Sequence, residues 1–183
     1  MRTNIPEKLL KVADDIAEHG NVNLPRLVVL KKWFEKPERL STFAIWVAAR
    51  APSRKGKTAG AAAELFREAK ALLAGADKCR PQLDRQKAQE LHDRLRDFQN
   101  EYENQRWGAV RIVHNWNLML IEHALAIYLW HTNSPAHGYR LAAAYCQNYD
   151  PRYGNGLNGP SRTKIEEIVR FMFTIEALED GPE

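Results

Sequence analysis

Two stretches of this 183-residue chain carry residue types and spacing that could hold an anion. The first is residues 50–58, where Arg50, Arg54, Lys55 and Lys57 occur with no acid among them and Thr58 follows. Gly56-Lys57-Thr58 matches the tail of a phosphate-binding P-loop, but that pattern needs glycine where this chain has Ala51, and a strand before it. The preceding residues are alanine-rich with helical periodicity. The expectation is therefore binding without hydrolysis, in a basic loop entering a helix near Thr58, where backbone N–H groups and three cations could meet a phosphate. The second stretch is residues 150–161, DPRYGNGLNGPS, with Gly154, Gly156 and Gly159 in a literal GxGxxG. A dinucleotide site needs that pattern between a strand and a helix, and here a helix precedes it. What remains is a glycine-rich loop bracketed by Arg152, Arg162 and Lys164 that leads into a helix with Ser161 as its expected N-cap. An anion or the backbone of a partner would fit it.

A third pattern would be catalytic. Arg85 and His92 stand seven apart on one face of a charged helix, a spacing similar to that of the helical HEPN ribonucleases. An arginine and a histidine on one face could position a phosphodiester and move a proton. The chain has 16 arginines and 6 histidines, so one or two such spacings arise by chance. Glu122 interrupts the most apolar stretch, with His114 nearby. A buried carboxylate requires a base or a place at the edge of burial, and without either its pKa would rise. His114, His123, His131 and His137 show neither HxH nor HxxxH spacing, and no ExxH occurs. The expectation is no metal and no cofactor.

The elements that position these residues are read as helices throughout. Residues 107–131 are the most apolar part, and from Trp116 onward they form a helix with almost no polar face. Such a helix belongs inside a bundle. Around it the periodicity predicts helices over 6–19, 24–36, 38–50, 58–74, 81–105, 135–148 and 163–179. The fold class expected is all-α, a single-domain bundle of about seven helices over residues 1–183, with a possible subdomain boundary at residues 75–81. The pair 24–36 and 38–50 has the order of a helix–turn–helix. Its second member, however, offers Phe43, Ile45, Trp46 and Val47 where base reading needs polar side chains.

Charge is uneven. Residues 1–60 carry 12 Lys/Arg against 6 Asp/Glu, while residues 107–183 carry 6 against 8. Positive excess at one end points to an anionic partner. The N-terminal residues have no apolar run of the secretory type, and Cys79 and Cys146 form no CxxC. The expectation is a cytoplasmic protein with reduced thiols and no membrane segment. The leading functional expectation is a non-enzymatic binding protein for nucleic acid or another polyanion, using Arg50–Thr58 and Arg152–Lys164. A protein partner or homo-oligomer formed through the long helix 81–105 is the alternative, and an RNA-cleaving enzyme using Arg85 and His92 is the third.

Overall fold

The computed structural model describes residues 32–51, 60–74, 76, 82–104, 116–130, 134–146 and 162–180. They are all-helical, with no strand among the described residues. The helices are α1 (Pro37–Ala49), α2 (Ala61–Leu72), α3 (Arg85–Asn104), α4 (Trp116–Trp130), α5 (Pro135–Cys146) and α6 (Arg162–Asp180). Lys32–Phe34 are also helical. The segments expected as helices over 6–19 and most of 24–36 lie outside the described residues.

Local chemistry explains where each helix begins. Asp84 is the N-cap of α3. Its Oδ1 accepts from the backbone N–H of Gln86 at 3.1 Å and of Lys87 at 3.2 Å, which satisfies two of the donors that a helix start leaves without partners. The helix expected from residue 81 therefore starts at Arg85. Proline leads α1 and α5, where its missing N–H costs nothing. The expected start of α2 near Thr58 is corrected. The N-cap is Gly60, at φ 91°, a left-handed conformation that suits glycine alone, and the helix begins at Ala61. Thr58 itself lies outside the described residues.

The chain divides into two compact units, one formed by Met1–Leu40 with Asn133–Glu183 and the other by Ser41–Thr132. The division falls within α1. The possible boundary at residues 75–81 lies, apart from Ala76, outside the described residues.

In the first unit α5 packs on α6. Trp33 and Phe34 are buried beside them, Trp33 standing edge-on to Phe34 at 5.2 Å and to Phe171 at 6.4 Å. Gly138 on α5 lets the Phe34 ring approach its backbone, since a Cβ there would lie 2.5 Å from Phe34 Cγ. Near the end of α6, Glu179 accepts from Arg39 Nε at 2.9 Å and from Lys36 Nζ at 2.8 Å, with Glu176 a further 3.6 Å partner of Arg39. Arg39 hydrogen bonding, with Lys36 in support, holds the Glu179 carboxyl down at about 2. A carboxylate depressed in the folded state stabilises it fully above its unfolded value, near 4.5, and loses that contribution as pH falls towards 2. Glu179→Gln is expected to flatten the loss of stability between those limits in urea titrations run at stepwise lower pH. An unaltered acid limb would show that Glu179 is not the group responsible. Partial exposure keeps the effect small.

In the second unit α2, α3 and α4 pack pairwise. The FAIWVAA run of α1 is buried from Phe43 to Ala48, so these side chains are core and none is placed to read a base edge. Lys70 of α2 donates its Nζ to the Ala49 carbonyl at 2.8 Å, a cation on the C-terminus of α1. Burial lowers the pKa of that ammonium. On α4, Leu118, Ile121, Ala124, Leu125, Ile127 and Leu129 are buried, and apolar residues surround the axis on every side. No helix of the described residues is long and apolar enough to cross a membrane.

Candidate functional site

Of the residues expected to bind an anion, the structure describes Arg50 and Lys164 in side-chain detail. Arg50 closes α1, where the backbone tightens into an i→i−3 bond from its N–H to the Val47 carbonyl at 3.1 Å. Its guanidinium lies 4.2 Å over the Trp46 ring, and its Nη1 approaches the Trp46 carbonyl at 3.4 Å. A guanidinium held over an aromatic ring by the cation–π attraction has less orientational freedom left to lose when it meets a phosphate. Lys164 sits in the first turn of α6 with its Nζ 5.1 Å over the Tyr145 ring. The Tyr145 hydroxyl donates to Glu167 from the same helix as Lys164. Arg162 begins α6, but its side chain lies outside the described residues, as do Arg54, Lys55, Lys57, Thr58, Arg152, Gly154, Gly156, Gly159 and Ser161. Arg50 and Lys164 belong to different units, and each is built by its own local rule: a cation over an aromatic ring one helical turn away or on a neighbouring helix.

The best-defined cluster of titratable groups joins α3 to α4. His92 is 2% exposed. Its Nε2 is 3.1 Å from Glu122 Oε1 on α4, and its Nδ1 is 3.0 Å from Asp93 Oδ1 beside it. The Trp130 ring closes the third side, edge-on at 4.5 Å, while half of Trp130 stays in solvent. Hydrogen bonding from His92, then from Gln89, lowers the pKa of the exposed Asp93 carboxyl. Arg85, at the start of α3, donates Nη2 to the Leu129 carbonyl. The Tyr128 hydroxyl accepts from the Leu83 N–H at 3.2 Å.

These contacts define what the cluster can do. A catalytic histidine needs one ring nitrogen within reach of a substrate proton. Both nitrogens of His92 face carboxylates, and the ring is enclosed by Glu122 and Trp130. Arg85 is turned to a backbone carbonyl. The arrangement is a polar clamp between two helices. It also supplies the base that a carboxylate in so apolar a helix requires, for Glu122 is half-buried and bonded to His92. Sequence reasoning flagged both residues but did not pair them, because 30 positions separate them and nothing local links the two. His114 lies outside the described residues. Among those described, no three His, Cys, Asp or Glu side chains are grouped to hold a metal ion.

One open cleft of about 230 Å³ runs between α2 and α3, lined by Ala61, Glu64, Leu65, Arg94, Asp97, Phe98 and Glu101. Arg94 also pairs with Glu68 across the two helices. Three carboxylates against one guanidinium make this lining acidic and unsuited to an anion. Comparison with known proteins finds no matching family model, no matching characterised protein and no matching solved structure.

Proposed function

We propose that the protein is a non-enzymatic binding protein for a polyanion, with nucleic acid the leading candidate. The supporting observation is the placement of charge. From Arg39 to Ala63 the chain holds five basic residues and no acid. Four of the five fall between Arg50 and Lys57, immediately before an N-terminus of α2 that no side chain caps. The first of the four has its guanidinium 4.2 Å from the centre of the Trp46 ring. Cations gathered at a helix start favour phosphates whether or not any chemistry follows. The second basic group, Arg152, Arg162 and Lys164, brackets the glycines 154, 156 and 159 in the same pattern of base, backbone and helix start. The polar groups best suited to catalysis, His92 and Arg85, have partners within the fold, which favours binding over cleavage.

The test is a titration with single-stranded and duplex RNA and DNA at increasing salt, repeated on the Arg54→Ala, Lys55→Ala, Lys57→Ala triple variant. Removing one cation that pairs with a phosphate should reduce the slope of log affinity against log salt by about 0.7 to 0.9. The triple variant is therefore expected to lose roughly two units of slope and most of its low-salt affinity. No binding at low salt, or an unchanged slope in the variant, would overturn the assignment.

A further inference from the structure

His92 makes two contacts that a neutral imidazole cannot make at once. A neutral ring has one N–H donor and one bare nitrogen that can only accept. An ionised carboxylate also only accepts. Yet His92 Nε2 lies 3.1 Å from Glu122 Oε1 while Nδ1 lies 3.0 Å from Asp93 Oδ1. Whichever nitrogen of a neutral ring carried the proton, the lone pair of the other would face a carboxylate oxygen. Both contacts together require one further proton among the three groups, and imidazole is a stronger base than a carboxyl. The ring is 2% exposed, so water has little access with which to satisfy an odd nitrogen.

The two carboxylates are placed differently. The Glu122 side chain is 21% exposed and projects from an apolar helix, so it depends on the ring for a donor. The Asp93 side chain is 57% exposed and also accepts from Gln89 Nε2 at 3.0 Å and 3.1 Å. The His92 hydrogen bond first, then that of Gln89, holds the Asp93 carboxyl below its ordinary range, with Arg96 a smaller contributor. Asp93 is thus an anion that water and Gln89 can support without the ring. The other charged groups of α2, α3 and α4 with printed contacts are spent elsewhere: Glu68 on Arg94, Lys70 on the Ala49 carbonyl and Arg85 on the Leu129 carbonyl. We infer that the joint between α3 and α4 is a proton-dependent clasp, in which His92 as imidazolium holds Glu122 and Asp93 together and, on losing a proton, keeps Glu122 and releases Asp93. Imidazole is the side chain whose charge ordinarily changes between about pH 5 and 8, so the clasp works within that range. This inference does not depend on polyanion binding.

The experiment is a pH titration of the isotopically labelled full chain by NMR, which reads the protons on each ring nitrogen of His92 between about pH 5 and 8. The natural chain is compared with Asp93→Asn. Position 93 is exposed, and circular dichroism checks that the variant keeps its helices. Near the lower limit the natural ring is expected to carry a proton on both nitrogens, each slow to exchange with water because it is hydrogen bonded. Near the upper limit one proton is expected, on Nε2 towards Glu122. In Asp93→Asn the side-chain amide can donate to a bare Nδ1, so a neutral ring satisfies both neighbours. The second proton is then expected to leave about one pH unit lower than in the natural chain. A ring with a single proton at every pH overturns the inference, as does one still doubly protonated at the upper limit. So does a remaining proton on Nδ1, or a titration that Asp93→Asn leaves unmoved.

Discussion

Gly138→Ala is expected to lower the free energy of unfolding by about 1–2 kcal/mol, although alanine is the better helix former. In an exposed helix interior the same change would add up to about 1 kcal/mol, because glycine has more backbone freedom to lose. Here the new methyl group would lie 2.5 Å from Phe34 Cγ and 2.6 Å from both Phe34 Cδ atoms. Phe34 is 1% exposed and edge-on to Trp33, so the ring has little space into which to retreat. Overpacking of a filled core costs about 1–3 kcal/mol, which exceeds the propensity gain. Urea denaturation of the single variant measures the loss. Combining Gly138→Ala with Phe34→Leu tests the cause, because the smaller side chain makes room for the methyl group. The double variant should then lose less than the sum of the two singles. A stabilised Gly138→Ala protein would refute the close approach of α5 to Phe34.

His92→Ala is expected to cost about 2–4 kcal/mol, the sum of a buried hydrogen-bonded ring removed and a space left behind it. Glu122 would lose its imidazole partner within a helix that offers no other polar neighbour on that side, and the inner edge of Trp130 would lose its support. The milder change Glu122→Gln keeps shape and an acceptor, and should cost about 1 kcal/mol. The ratio of the two losses is the informative quantity. Equal losses would mean that the carboxylate charge carries the clamp, and a loss in His92→Ala within a few tenths of zero would mean that no clamp exists. Trp130 provides an independent reading, since its emission should shift to the red in His92→Ala as water reaches the uncovered ring edge.

The helical fold was legible because its signals are local. Periodicity located the six described helices, and proline marked the starts of α1 and α5, whereas the helix expected from residue 81 starts at Arg85 behind the Asp84 cap. The start of α2 was misplaced by a similar local competition. Thr58 is the better capping residue by type, yet Gly60 adopts the positive φ that turns the chain into the helix. The candidate site was legible only in part. Arg50 and Lys164 could be chosen from charge and position, but no pattern in one sequence says that each lies over the ring of Trp46 or Tyr145. The clamp was least legible. His92 stood out for its spacing from Arg85 and Glu122 for its apolar surroundings. Their joint role arises from the pairing of α3 with α4, which depends on side-chain fit between distant segments.

The apolar character of α4 has a consequence for rotation. An amphipathic helix is told by its own pattern which side to bury. A helix apolar on every side is rotationally degenerate, because turning it by one residue exchanges one set of large aliphatic groups for another at little cost. The orientation must then be set by its few polar atoms. Three such fastenings hold it to α3 and the residues just before α3: Glu122 to His92, Tyr128 to Leu83 and the Leu129 carbonyl to Arg85. They act as keys in a shaft, contributing less to how strongly α4 is held than to which of several near-equal settings it occupies. Drift among leucine, isoleucine and methionine along α4 is accordingly tolerable, whereas the loss of two keys at once would leave a helix still buried but no longer indexed.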